Sequence, residues 1–122
     1  MLVGKLDWDP GQVNYNGWHI YFDATSTTLR RARVNVPGPP IAAGSYSHVV
    51  VTYDGVTAWV YVNGVAGTPY VTMDVMPKTS VPFIIGNAEN WARYTGLIDE
   101  CAVYDRALTP IEIAAHYRLA RP

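Results

Sequence analysis

The chain is poor in cysteine: Cys101 is the only one among its 122 residues. No disulfide can therefore form within the chain. Cys101 lies in an apolar run, which predicts a buried and inert thiol. No apolar run reaches the ~20 residues that a membrane-spanning helix needs, and the first residues lack the pattern of a signal peptide. We expect no membrane partner, and the compartment stays open between the cytosol and, for a piece of a longer secreted protein, the exterior.

Positive charge is also scarce, with nine Lys and Arg against ten Asp and Glu, a net charge of −1. A protein that binds nucleic acid needs a basic face that neutralises phosphates. The one basic cluster is Arg30, Arg31 and Arg33, and arginines in a polar strand are typical of a solvated face or a protected edge. We therefore expect no nucleic-acid partner.

Arrangements that carry catalysis are missing as well. The three histidines fall in unrelated elements, no Gly-x-Ser-x-Gly turn occurs, and no zinc-ligand spacing occurs. Asp99 and Glu100 are adjacent, so on a strand they would face opposite sides. The two carboxylates of a glycosidase must instead face one cleft at ~5–9.5 Å. The sequence predicts that the chain is not an enzyme.

What the chain has is many short apolar runs of period two, separated by Gly, Pro, Asn and Asp, which is typical of an antiparallel all-β domain. The pair Asp54-Gly55 predicts a hairpin over 46–63, and Asn63-Gly64 predicts a further turn into 65–72. The other predicted strands cover 16–22, 27–36, 83–86 and 96–104. In the first of these, Trp18, Ile20 and Phe22 alternate and are expected to form the core face.

The C-terminal residues change to a helical period. Thr109, Pro110 and Glu112 have the spacing of a capping box with proline at the first helical position. Leu108 and Ile113 are placed to pack across this start as a hydrophobic staple. One short helix is predicted to close the domain.

Two blocks of sequence resemble the laminin-G-like family. SHVVVTYDG at 47–55, followed by VYVNG at 60–64, resembles the central hairpin of these domains. IG at 85–86, GLIDE at 96–100, YDRALT at 104–109 and EI at 112–113 resemble their C-terminal signature. The resemblance implies one domain over 1–122, an all-β antiparallel jelly-roll sandwich of the concanavalin A type with one short C-terminal helix. Such domains are usually extracellular sugar-binding or adhesive modules.

The chain departs from this family at its N-terminal end. Family members usually have further strands before the segment that corresponds to residues 1–23. Without those strands the sheets would keep unpaired edges, and self-association would cover them. We therefore expect a homodimer.

A polar loop carries the best candidates for sugar binding, because sugars need a flat aromatic face with a few polar groups beside it. The residues of this loop are Glu89, Asn90, Trp91, Arg93 and Tyr94. A second candidate is Trp8. The alternative for both Trp rings is that they fold back to cap the sandwich or become buried in a subunit contact.

The resemblance also implies a structural calcium site at Asp99, since Ca²⁺ binds carboxylate and carbonyl oxygens. The loop at 87–90 would supply further ligands. The alternative is that Asp99 accepts backbone hydrogen bonds at a bend. The function that follows is a non-catalytic carbohydrate-binding module, and the alternative is a structural or protein-interaction subunit that self-associates through exposed sheet edges.

Overall fold

The computed structural model describes residues 2–7, 16–23, 26–31, 34–71, 78–88 and 92–120. The elements in these residues are, in chain order, β1 (Val3–Asp7), β2 (Asn16–Phe22), β3 (Thr27–Arg31), β4 (Val34–Gly38), β5 (Val49–Tyr53), β6 (Thr57–Val62), β7 (Val65–Ala66), β8 (Tyr70–Val71), β9 (Ile84–Ile85), β10 (Asn87–Ala88), β11 (Ala92–Arg93) and α1 (Pro110–Leu119). No helix of the described residues is long and apolar enough to cross a membrane.

The strands form two main antiparallel sheets and a small hairpin. The first sheet has five strands in the order β4-β3-β2-β1-β9. In the second sheet β6 is central and pairs with β5, β7 and β8, while β10 pairs with β11 alone. This arrangement confirms the predicted antiparallel β-sandwich with one short C-terminal helix.

The core lies between the two sheets. Ile20, Leu29 and Val36 stand side by side on β2, β3 and β4, and they meet Ala58 and Val60 of β6. Each of these five side chains is 7% exposed or less. The predicted core face of β2 is thus confirmed at Ile20, and burial of these aliphatic side chains is the main favourable term for the sandwich.

Two glycines let the sheets approach at one corner. A Cβ on Gly38, at the end of β4, would overlap the side chain of Val60. A Cβ on Gly67, between β7 and β8, would lie 2.6 Å from the carbonyl oxygen of Pro37. The Gly67 N–H donates to the Val60 carbonyl at 2.8 Å. The strand predicted over 65–72 is therefore interrupted at Gly67, and only its two ends pair with β6.

The predicted hairpin at Asp54-Gly55 is confirmed. Tyr53 pairs with Ala58, and Gly55 has the positive φ of 98° that the turn requires. Asp54 Oδ1 accepts the N–H groups of Thr57 at 2.7 Å and Val56 at 2.8 Å. These backbone donors lower the pKa of Asp54 below its usual value.

The second turn is confirmed as well. Asn63 and Gly64 have φ of 52° and 79° and connect Val62 to Val65. Both positive values match the type of turn that Asn-Gly favours in two-residue hairpins. Asn63 also ties this turn to β5, since its Oδ1 accepts the His48 N–H at 2.9 Å.

Helix α1 begins as predicted. Glu112 N–H donates to Thr109 Oγ1, and Thr109 N–H donates to Glu112 Oε2 at 2.8 Å, which completes the capping box. Leu108 and Ile113 pack with Tyr61 in a second cluster, on the face of β6 that points away from the sandwich core. The helix therefore covers the outer side of the second sheet.

The strand predicted over 27–36 is instead a pair of strands, β3 and β4, with residues 32–33 outside the described residues. The prediction of a solvated arginine face is wrong for Arg31, which is 4% exposed. Its guanidinium lies 4.7 Å from the centre of the Tyr53 ring, a cation–π contact between the two sheets. Arg33 lies outside the described residues.

The strand predicted over 96–104 is not formed. These residues have no regular structure, and Glu100 has a φ of 51°. An isolated extended segment gains no ladder hydrogen bonds, and no described strand pairs with this one. The predicted burial of Cys101 is therefore wrong, because its thiol is exposed. Leu97 and Val103 are 73% and 74% exposed.

Two isoleucines of α1 test how far the helix depends on its buried face. Ile113 is 0% exposed, whereas Ile111 is 82% exposed. We expect Ile113→Ala to lower the free energy of unfolding by about 2–4 kcal/mol, since it opens a cavity beneath the helix. Ile111→Ala is the matched control and should change it by less than about 0.5 kcal/mol. Urea unfolding of both variants checks this, and equal losses would contradict the packing described.

Candidate functional site

The β10–β11 hairpin carries most of the residues predicted to bind sugar. It is attached to the first sheet next to β9, because the Gly86 N–H donates to the Leu2 carbonyl at 2.7 Å. Gly86 has a φ of 78°, which turns the chain from β9 into β10. The Tyr94 N–H returns to the Gly86 carbonyl at 2.9 Å. Both ends of the hairpin are thus fixed at the end of the sandwich where β1 begins.

Tyr94 has a structural role in this attachment. Its ring lies 5.4 Å from that of Phe22, edge to face, a geometry that aromatic pairs favour. Its hydroxyl donates to the Leu97 carbonyl at 3.3 Å. A Cβ on Gly96 would lie 2.5 Å from the Tyr94 hydroxyl oxygen, so glycine at that position lets the chain pass under the ring. Tyr94 is half-buried and forms the base of the hairpin.

Arg93 is an exposed residue of the predicted set. It ends β11 opposite Asn87, and its side chain is exposed. Glu89, Asn90 and Trp91 connect the two strands in sequence and lie outside the described residues. The structure therefore places Arg93 and Tyr94 next to each other at the base of the loop, and a sugar-binding role for any of the five residues stays a prediction.

Trp8, the second candidate, also lies outside the described residues. The hairpin is attached at the Val3 end of β1, whereas β1 ends at Asp7 before Trp8. The described contacts give no support for joining the two candidates into one site.

Phe22 and Asp23 belong to this end of the sandwich and were not among the predicted site residues. Phe22 was assigned to the core, but its ring meets Tyr94. Asp23 Oδ1 accepts the Ser26 N–H at 3.0 Å, which links the end of β2 to the start of β3. An Asp followed three residues later by Ser is a turn signal that the sequence does contain.

Asp99, the predicted calcium ligand, is exposed on the irregular segment after the hairpin. Its Oδ1 accepts the Glu100 N–H at 2.9 Å, which matches the alternative of a backbone hydrogen bond at a bend. Within the described ranges no three or more His, Cys, Asp and Glu side chains are grouped so that they would hold a metal ion. The described residues therefore bring fewer than three such side chains together at Asp99, while calcium needs six to eight oxygens.

Comparison with known families decides the lineage. A family model for laminin-G-like domains of the concanavalin A-like lectin/glucanases superfamily matches residues 6–114. The chain belongs to this superfamily. It includes both lectins and glucanases, so membership alone does not separate binding from catalysis. No curated protein matches this concanavalin A-like domain in sequence.

A solved structure supports the same fold. The domain is similar to the crystal structure of residues 221–444 of an S-layer domain-containing protein from Clostridium thermocellum, with a TM-score of 0.58 and 20% sequence identity. The match covers 96% of this chain and 64% of that one. The present domain therefore spans about two thirds of that structure, and the likeness concerns the fold.

His19 is the most strongly perturbed histidine described in this concanavalin A-like domain. It lies on the face of β2 opposite to Ile20, is 1% exposed, and its ring is 5.4 Å from that of Tyr21. Burial lowers the pKa of His19 to about 4, and the charge of Arg30 acts in the same direction. A perturbed pKa often marks a histidine of a functional site. For a ring buried as deeply as that of His19, we instead expect the lowered pKa to make the stability of the domain depend on pH.

We expect the domain to lose stability as the pH falls from about 6.5 to 4. The imidazole titrates near 6.5 when unfolded, so in this window the unfolded chain binds the additional proton. The contribution of His19 is fully present above pH 6.5 and amounts to about 2 kcal/mol lost between pH 7 and 5. Urea unfolding at both pH values checks this. His19→Gln should remove that part of the pH dependence, and an unchanged dependence would contradict the assignment.

Proposed function

We propose that this domain is a non-catalytic carbohydrate-binding module whose site is the β10–β11 hairpin. The superfamily includes lectins, which makes sugar a reasonable ligand. The observation that carries the proposal is the attachment of the hairpin: the Phe22–Tyr94 ring pair and the Gly86 backbone hold its base, and Arg93 is exposed beside it. A rigid base lowers the entropy that a binding loop loses when it is ordered by a ligand.

The sequence of the loop has the chemistry that a sugar requires. A Trp or Tyr ring offers a flat apolar face for pyranose C–H groups, and fixed polar groups are needed for the hydroxyls. Trp91 would supply the stacking face in this proposal. Arg93, Asn90 and Glu89 would donate and accept the hydrogen bonds, with Arg93 already placed at the end of β11.

The described carboxylates favour binding over hydrolysis. A glycosidase needs one carboxyl group with a raised pKa as its general acid. Asp54 and Glu112 have pKa values lowered by hydrogen bonds, from backbone N–H groups and from Arg106 respectively. Asp23 and Asp99 accept backbone N–H groups at turns. The hydrogen bonds of Asp54 and Glu112 favour their ionised form, which is the opposite of what a general acid needs.

Calcium belongs to the proposal as an assisting ion at Asp99. One oxygen of this carboxylate is engaged by Glu100 N–H, so Oδ2 would be the ligand. The remaining oxygens would come from backbone carbonyls and from the loop at 87–90, of which residues 89–90 lie outside the described residues.

A cell-surface structural role is the second candidate function. The similar solved structure comes from an S-layer domain-containing protein, and laminin-G-like domains are usually extracellular. Residues 97–104 support an interaction role, because Leu97, Val103 and Tyr104 are 73%, 74% and 49% exposed. Exposed apolar segments of this kind often contact another protein.

A glycan-array screen with calcium and with a chelator tests the main proposal. We expect a specific glycan to bind, and we expect Trp91→Ala and Arg93→Ala each to weaken that binding by about tenfold or more, or ~1.4 kcal/mol. Loss of binding in chelator would place the metal in the site.

The matched control is Tyr46→Ala, which removes a ring that is 66% exposed and lies before β5. It should leave glycan binding unchanged. The absence of any glycan ligand, or equal losses from Tyr46→Ala and Trp91→Ala, would reject the hairpin site and favour the structural role.

A further inference from the structure

The outer edge of β5 lacks the features that protect the other sheet edges of the described residues from pairing with a further strand. Natural edge strands are kept apart by short length, proline or charged side chains. At the edge of the first sheet β4 contains Pro37, and β7, β8 and β9 are two residues long. β5 is five residues long with the sequence Val-Val-Val-Thr-Tyr. It has none of these protections, so it is the edge most ready to accept another strand.

The backbone of β5 presents hydrogen-bonding groups to this open side. The Asn63 N–H donates to the His48 carbonyl at 2.8 Å, which directs the backbone of His48 towards β6. In an antiparallel pair this direction alternates along the strand. Val50 and Thr52 therefore face β6, while the N–H and C=O groups of Val49 and Val51 face the side where no described strand lies.

The side chains of the same residues lie at the margin of the core. Val49 and Val51 are half-buried and pack against the sandwich core. Val50 points to the other side and packs with the cluster under α1. A strand added along β5 would continue both apolar layers, since its alternate side chains would meet the sandwich core and the helix side in turn.

We propose that β5 pairs antiparallel with β5 of a second copy of this chain, about a two-fold axis at Val51. In this register Val51 of each copy exchanges N–H···O bonds with Val51 of the other, and Val49 lies opposite Tyr53 of the second copy. The second sheets of the two copies then form one continuous sheet. An isologous contact of this kind closes with two copies and leaves no further free β5 edge.

The polar side chains at the two ends of β5 support this register. When Val51 pairs with Val51 of the second copy, His48 lies opposite Asp54 of the second copy, and the symmetry repeats the pair. Asp54 is exposed, and only its Oδ1 is engaged by Val56 and Thr57. Burial lowers the pKa of His48 and keeps its imidazole neutral, so a ring N–H can donate a hydrogen bond to Asp54 Oδ2 of the second copy, a favourable cross-strand pair. A shift by one residue would turn the apolar side chains to the wrong faces.

Disulfide trapping tests the register directly. The variants His48→Cys and Asp54→Cys are made separately in a Cys101→Ser background, which removes the exposed native thiol. Positions 48 and 54 of opposite copies would form a non-hydrogen-bonded pair with Cα atoms ~4.5 Å apart, within reach of a disulfide. We expect the mixture of the two variants to form a cross-linked dimer, and we expect neither variant alone to do so.

The matched control replaces His48→Cys by Ser47→Cys in the mixture. Residue 47 points to the opposite face of the sheet from residue 48, so cross-linking with position 54 should fall by about tenfold or more. Equal cross-linking at 47 and 48 would reject the register.

Sedimentation velocity tests the association itself. We expect the unmodified chain to sediment as a dimer at high micromolar concentration. Val51→Pro should make it monomeric and leave it folded, because the Val51 N–H is not used in the ladder with β6. A folded Val51→Pro dimer, or a monomeric unmodified chain at all soluble concentrations, would overturn the proposal; if Val51→Pro does not fold, the cross-linking result decides.

Discussion

Burial of β6 on both faces is the constraint on which the rest of the structure depends. Ala58 and Val60 point into the sandwich and meet β2, β3 and β4, while Tyr61 points outward to Leu108 and Ile113. The strand lies in the middle of its sheet, so its backbone is paired on both sides as well. Both packed layers of the domain therefore meet at one strand, and neither layer has a separate core large enough to be independent of it.

This constraint also positions the functional surfaces. The first sheet packs on β6 through β3 and β4, and β1 and β9 extend that sheet to the base of the β10–β11 hairpin. The Phe22–Tyr94 ring pair and the Gly86 backbone hold the base of the hairpin. On the other side, α1 packs on the outer face of the second sheet, and no described strand pairs with the outer edge of β5. The proposed ligand loop and the proposed dimer contact are thus at elements that the core supports without covering.

The sequence predicts those features that depend on near neighbours in the chain. The turns at Asp54-Gly55 and Asn63-Gly64 and the cap of α1 each need residues within four positions of one another, and all are confirmed. Burial of Arg31 depends on Tyr53 of the other sheet, which no local pattern contains. Residues 96–104 have the pattern of a strand, but a strand also needs a partner. At the candidate site, Arg93 and Tyr94 were predicted from the composition of their loop and stay predictions as ligand-binding residues, whereas the Phe22–Tyr94 contact is visible only in the fold.

Native-state hydrogen exchange, followed residue by residue, tests the central role of β6 most directly. If β6 joins both layers, its amides from Ala58 to Val62 exchange only through global unfolding, with the same free energy as the amides of β3 and of α1 around Ile113. The hairpin β10–β11 exchanges sooner, through local opening. If α1 and β6 instead exchanged in separate steps with different free energies, the two layers would be independent and the account would be wrong.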